Sequence, residues 1–182
     1  MGLLVRTLPV LLLVAGAACS RPSGNGSAPP AATSAAAPLT VGAPAPQVTF
    51  ALHTGEHLSL SSLRGKPVVV YFYPKDDTPG CTVEAQEIRD LYEQLQHTGA
   101  VIIGVSTDAA DSHRAFVQKH GLPFLLASDE SGEIAKAFGV ALKNGRATRQ
   151  SFVIGADGRI KRTFPQVNPK GHAAELLAAL SS

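Results

Sequence analysis

The chain has 182 residues, enough for one domain of ordinary size plus an appendage, and 45% of them are hydrophobic against 16% charged. That balance describes a globular core. The net charge is +2 and the basic residues are scattered, the longest run being Lys161-Arg162, which excludes a nucleic-acid surface.

Residues 1–19 read as an export signal of bacterial type rather than as part of a fold. One cation, Arg6, precedes the apolar run Val10 to Val14, which is too short to span a bilayer, and the small residues Ala15-Gly16-Ala17-Ala18-Cys19 follow. Two cleavage types stay open. Ala15-Gly16-Ala17 fits ordinary small-x-small cleavage. Ala17-Ala18-Cys19 resembles a lipoprotein box whose cysteine becomes the lipid-bearing N-terminus, with Gly16 where such a box usually has leucine. Cys19 ends the apolar run in a chain with only two cysteines, so lipid attachment there is the expectation. The chain is then anchored on the extracytoplasmic side of a membrane; ordinary cleavage makes it soluble, periplasmic or secreted.

Residues 20–39 are almost all Ser, Pro, Ala, Gly and Thr. Such a segment has nothing to bury, and as a flexible linker it reaches about 25 Å. That suits a tether lifting a domain off a membrane, and a spacer behind a cleaved signal is the plainer alternative.

Residues 40–182 form the domain. Val48 to Leu52 and Glu56 to Leu60 flank the turn His53-Thr54-Gly55 and predict a β-hairpin. Val68 to Tyr73 is six apolar, β-branched or aromatic residues in a row, the pattern of a fully buried strand. Pro74 ends it, lacking a ladder donor. Thr78-Pro79 then marks a helix start, with a side-chain oxygen for the free amides and a proline where its missing N–H costs nothing. Cys81, Ala85, Ile88, Leu91, Tyr92 and Leu95 recur at spacings of three and four, so Cys81 sits on the inward face of the first turn. Gly99 caps that helix. A buried strand over Ala100 to Val105, a helix over Ala109 to His120, a short strand over Phe124 to Ala127 and a helix over Glu130 to Phe138 follow. Gln150 to Ile154 and Arg159 to Phe164 surround Ala156-Asp157-Gly158 as a second hairpin, and Gly171 to Leu180 closes as a helix. Alternating strands and helices between two hairpins indicate an α/β fold, a mixed sheet covered by helices.

Cys81 is where chemistry is expected. A free thiol near pKa ~8.5 is mostly protonated at neutral pH, and only the thiolate is nucleophilic. The unpaired N–H groups and positive dipole end of a helix's first turn favour that anion. Most buried cysteines are inert, but here a proline-bounded loop, a Thr–Pro helix start and the flanking Gly80 favour a reactive thiol.

Tyr71-Phe72-Tyr73-Pro74-Lys75-Asp76-Asp77-Thr78-Pro79-Gly80-Cys81-Thr82-Val83-Glu84-Ala85 closely resembles the active-site segment of peroxiredoxins, most of all the PrxQ branch, also called bacterioferritin comigratory protein. Gly104 to Asp108, Ala127 to Glu130, Phe138 to Val140 and Arg149 to Ile154 are similar to later segments of that family, so the resemblance covers roughly residues 40 to 180. It implies a thioredoxin-like fold with an extra N-terminal hairpin. It also implies a thiol-dependent peroxidase that reduces hydrogen peroxide and alkyl hydroperoxides through a sulfenic acid on Cys81. In this reading Thr78 and the Gly80 and Cys81 amides are donors to the peroxide, Arg149 holds the thiolate and polarises the substrate, and Pro74 shields the thiol. The bland alternatives are a cap for Thr78, a solvated strand-end charge for Arg149 and a strand stop for Pro74.

Many members of that branch carry a resolving cysteine five residues after the first, where this chain has Gln86. The expectation is therefore a single-cysteine, monomeric enzyme reduced by an external thiol, from a thioredoxin-like or glutaredoxin-like protein or a small molecule. No cofactor is expected. The six histidines form no metal-ligand pattern, and Asp76-Asp77 read as a solvated loop. A thioredoxin-type reductase needs Cys-x-x-Cys, which Cys81-Thr82-Val83-Glu84 lacks, and a glutathione peroxidase-like site expects a tryptophan, of which there is none. A catalytically silent, membrane-tethered binding domain is the other reading.

Overall fold

The computed structural model describes Gly2 and residues 39–182. The expectations for the export signal, Cys19 and the linker fall on residues outside that description, Gly2 and Leu39 apart.

Two strands open the domain, β1 (Thr49–Leu52) and β2 (His57–Ser59), antiparallel through Phe50↔Leu58. This is the expected hairpin, and a 3-10 turn over Leu60–Leu63 leads from it to β3 (Val68–Phe72). The helices α1 (Pro79–Asp90) and α2 (Tyr92–His97) precede β4 (Val101–Ser106), α3 (Ala110–His120) and β5 (Leu125–Ser128). Then come α4 (Glu133–Ala137), a small hairpin of β6 (Leu142–Lys143) and β7 (Arg146–Ala147), β8 (Gln150–Ile154), β9 (Ile160–Phe164) and α5 (His172–Ser181).

Seven strands make one sheet in the order β2-β1-β5-β4-β3-β8-β9. β3, β4 and β5 are parallel neighbours, and the remaining pairs are antiparallel. Successive strand residues point to opposite faces, so a strand covered on both sides must be apolar throughout. β3 shows this directly. Val68, Val70 and Phe72 join a layer with Phe138, Phe152 and Ile154, while Val69, Tyr71 and Tyr73 join another with Cys81, Ala85, Ile88, Phe116 and Leu176. The second layer lies under α1, α2, α3 and α5, which is why Cys81 is carried into the interior.

Three details differ from the sequence expectation. The helix predicted from Thr78 onward is bent at Leu91, yet the Leu95 N–H still bonds the Leu91 carbonyl at 3.0 Å, so one apolar face runs through both pieces. The helix predicted from Glu130 starts only at Glu133, because the Asp129 carboxylate accepts the Ile134 and Ala135 N–H groups at 3.0 and 2.8 Å and Gly132 turns the chain with φ 73. The β6–β7 hairpin was not expected, although its Asn144-Gly145 turn, with both residues at positive φ, is a strong hairpin signal.

The parallel register sets Gly104 of β4 beside Tyr71 of β3 and Leu126 of β5. A Cβ at Gly104 would come 2.6 Å from the Tyr71 ring and 2.7 Å from Leu126 Cδ2, both in the layer that holds Cys81. Gly104→Ala is therefore expected to destabilise the domain by roughly 1–3 kcal/mol through overpacking. Urea unfolding of parent and variant measures this, and an unchanged midpoint would show that the layer repacks freely.

Candidate active site

Tyr73 and Pro74 carry the chain out of β3, and four residues later the first turn of α1 begins. Thr78 has the extended backbone of an N-cap residue (φ −82, ψ 149), with Pro79 at the first helical position as expected. The cap bond itself is absent. The Thr78 hydroxyl donates instead to the Lys75 carbonyl at 3.0 Å, which closes the loop and leaves its oxygen lone pairs free. Gly80 and Cys81 follow in the turn whose N–H groups have no intrahelical acceptor. Cys81 is 2% exposed, on the inward face where the apolar spacing puts it. Pro74 is half-buried at the strand end.

The second half of the site comes from β8. Its antiparallel register with β3 pairs Phe72 with Gln150, so Arg149 stands at the strand end from which the cysteine loop departs. One arm of the guanidinium, Nη2, lies 3.2 Å from Cys81 Sγ. The other, Nη1, donates to the Glu84 carboxylate. Arg149 is thus no solvated strand-end charge: it bridges two groups of one helix face. Glu84, three residues after Cys81 and 0% exposed, is a member of the site that sequence reasoning passed over. The signal was present, since positions i and i+3 share a helix face. Burial pushes its carboxyl up to about 7 against the pull of Arg149, and its second oxygen has no partner among the described residues. Gly80 lets these parts close up, because a Cβ there would already touch Arg149 Nη2 at 3.5 Å and Pro169 at 3.6 Å.

Asp76 corrects the solvated-loop expectation. It is 5% exposed, and its carboxylate accepts bonds from the Tyr73 and Ser112 hydroxyls, each at 2.7 Å, and from His113 Nδ1 at 2.9 Å. Those partners hold its carboxyl below the usual range although burial acts the other way. Asp77 is exposed as expected, with φ 58, and contacts Lys119 Nζ at 2.6 Å and His120 Nε2 at 2.8 Å. Both aspartates therefore tie the loop to α3. Gln86, the residue five after Cys81, is half-buried and meets His120 Nδ1 at 3.4 Å.

A second histidine is also fully buried. His172 Nε2 lies 2.8 Å from Ser151 Oγ, with Nδ1 3.0 Å from Glu175 Oε2. Ser151 is 0% exposed inside β8, and the trio joins α5 to the sheet. Among the described residues no three His, Cys, Asp or Glu side chains are grouped to hold a metal ion.

Comparisons with known proteins agree with this architecture. The sequence model of the AhpC/TSA family matches residues 41–163. Peroxiredoxin Bcp of Bacillus subtilis is 42% identical over 149 residues, covering 78% of this chain and 95% of the relative. The crystal structure of a cysteine-to-serine mutant of Xylella fastidiosa PrxQ superposes with a TM-score of 0.75 at 32% identity, covering 80% of this chain and 98% of that one. A structure of the Xanthomonas campestris bacterioferritin comigratory protein, described for its alkyl peroxide reduction activity, gives 0.71 at 34% identity over 79% and 96% of the two chains. The thioredoxin-like fold is thereby established, and a peroxide-reducing family with it. With the Arg149-bridged cysteine at the head of α1, the chain belongs to the peroxiredoxin family of thiol-dependent peroxidases, in its Bcp/PrxQ branch.

Proposed function

We propose that the chain reduces hydrogen peroxide and alkyl hydroperoxides with Cys81 as its only redox thiol, and that an external thiol returns it to the reduced state. One observation carries this: a single guanidinium spans the Cys81 sulfur and the buried Glu84 carboxylate. A cation beside a thiol favours the thiolate, and Glu84 keeps the cation from swinging away. The thiolate attacks one peroxide oxygen, the S–O bond forms and the O–O bond breaks. Cys81 is oxidised to the sulfenic acid, and the leaving oxygen departs as hydroxide or alkoxide and takes up a proton. The Gly80 and Cys81 amides and Arg149 are the donors available to that developing charge, and Thr78 joins them once its hydroxyl turns from the Lys75 carbonyl. Alkyl hydroperoxides are included because the Xanthomonas campestris relative is described for alkyl peroxide reduction.

Among the described residues Cys81 is the one free cysteine, and the residue five after it on α1 is Gln86. The sulfenic acid is then attacked by an external thiol, releasing water and leaving a mixed disulfide. A second thiol cleaves that disulfide and restores Cys81. Parent and Cys81→Ser proteins test the whole reading. Peroxide consumption is expected to vanish in the variant. Intact mass of the parent domain after one equivalent of peroxide is expected to show one added oxygen, not the loss of two hydrogens. A variant as active as the parent overturns the assignment.

Glu84 makes a pH prediction. Its folded value, about 7, lies above the ordinary carboxylate range of an unfolded chain. The folded state is therefore favoured by this group below that range and loses the advantage as pH rises to about 7. Glu84→Gln removes the titration. Relative to that variant, the parent is expected to lose thermal stability from acid pH up to neutrality and then level off. Parallel melting-temperature profiles would show that Glu84 does not titrate there.

The exported, lipid-anchored location rests on the sequence of residues 1–38 alone. Cys19→Ala is expected to move the protein from the membrane fraction to the soluble one, and a parent protein found soluble removes the anchor.

A further inference from the structure

The loop that presents the thiol is held by a buried charge pair on its far side. His113, 0% exposed on α3, has oxygen acceptors at both ring nitrogens: Asp76 Oδ2 lies 2.9 Å from Nδ1 and the Ala127 carbonyl 3.2 Å from Nε2. A carbonyl oxygen can only accept, so Nε2 carries a proton. At the other nitrogen the Asp76 carboxylate accepts from the Tyr73 and Ser112 hydroxyls, and the Tyr73 oxygen itself lies 3.3 Å from Nδ1. With Asp76 ionised, Nδ1 carries a proton too. The ring is an imidazolium, paired with an aspartate inside the protein.

The reach of this pair gives it a role in the site. Through Nε2 it is fixed to β5 in the centre of the sheet, and through Nδ1 it fixes Asp76. The Asp76 N–H is bonded in turn to Asp108 Oδ2 at 2.8 Å. Asp76 is two residues from Thr78, whose hydroxyl closes the same loop on Lys75. On the outer side Asp77, Lys119 and His120 form a second tie, but an exposed one, which holds weakly in water. His113 touches neither Cys81 nor Arg149 among its hydrogen-bond partners.

We propose that His113 is a positioning residue for the peroxide reaction: as an imidazolium it locks Asp76, and with it the Lys75–Thr78 loop, in the conformation that aims the first-turn amides of α1 at the peroxide. This rests on the peroxidase reading of Cys81. The pair acts on donor geometry and leaves the Arg149 contact to the sulfur alone, which separates it from a residue that activates the thiol.

Three measurements test it. Proton–nitrogen correlation spectra of the ring nitrogens in the parent domain are expected to show His113 protonated at both positions, the signals being assigned by their loss in His113→Gln. In folded His113→Gln and Asp76→Asn proteins, oxidation of Cys81 by hydrogen peroxide is expected to slow about 10- to 100-fold, the scale of a misplaced donor set. Alkylation of the same thiol by iodoacetamide at the same pH, which needs the thiolate but no aimed donors, is expected to change less than about threefold. A peroxide rate like the parent's, or an equal loss in both reactions, overturns the positioning role. A His113 ring with one bare nitrogen overturns the ion pair, and the parent spectrum decides this even where a variant does not fold. A parent that consumes no peroxide at all overturns the peroxidase reading instead, and leaves the spectroscopic result standing by itself.

Discussion

A guanidinium presents its N–H donors in a rigid planar fork, and at Arg149 the two arms of that fork meet the thiol and the carboxylate of one helix face. Everything in the site depends on this bridge. A carboxylate at 0% exposure is costly unless it is paired, and among the described residues Arg149 is its only partner. Removing one member of such a pair leaves the other buried and uncompensated, a loss of about 3–5 kcal/mol in comparable cases. Arg149 therefore joins stability to chemistry: the carboxylate holds the cation still, and the cation thereby stays beside the sulfur. Burial raises the Glu84 carboxyl to about 7 against the pull of Arg149.

The site is assembled from two halves with different sources of rigidity. Cys81 and Glu84 are set by α1, whose inward face is clamped by Ala85 and Ile88 against the central sheet. Arg149 is set by the β3–β8 register, in which a slip of one residue would turn it to the opposite face. Between them runs the loop from Pro74 to Thr78, which has no secondary structure of its own and includes a non-glycine residue, Asp77, at φ 58. Such a conformation is unfavourable unless its surroundings enforce it. Here they do so on both sides, through Asp76 in the interior and Asp77 at the surface, and both reach to α3. A helix distant from the thiol in sequence thereby shapes the turn that presents it.

Much of this architecture was legible in the residues. Strand β3, helix α1 and the two flanking hairpins follow from periodicity, turn residues and the proline stop, all of which act over a few neighbouring residues. The inward orientation of Cys81 followed from its spacing to Ala85 and Ile88. Where the expectation failed, a longer-range partner had intervened. Asp129 delays α4 by accepting amides five and six residues ahead, and Asp76, which reads as one of two solvated acids, is buried because Tyr73, Ser112 and His113 converge on it. Asn144-Gly145 was a local signal overlooked rather than absent.

Sequence alone thus determined the elements, the helix-start cysteine and, through its resemblance to a family, the residue types of the site. Tertiary structure decided which charges meet. Arg149 lies 68 residues from Cys81 and His113 lies 37 from Asp76, and no periodicity reports contacts across such distances. Such pairs depend on the register of a sheet and the packing of helices against it, which are set by the whole core at once. A local pattern can say that a side chain faces inward, but what it faces there is known only when the opposing elements are in place.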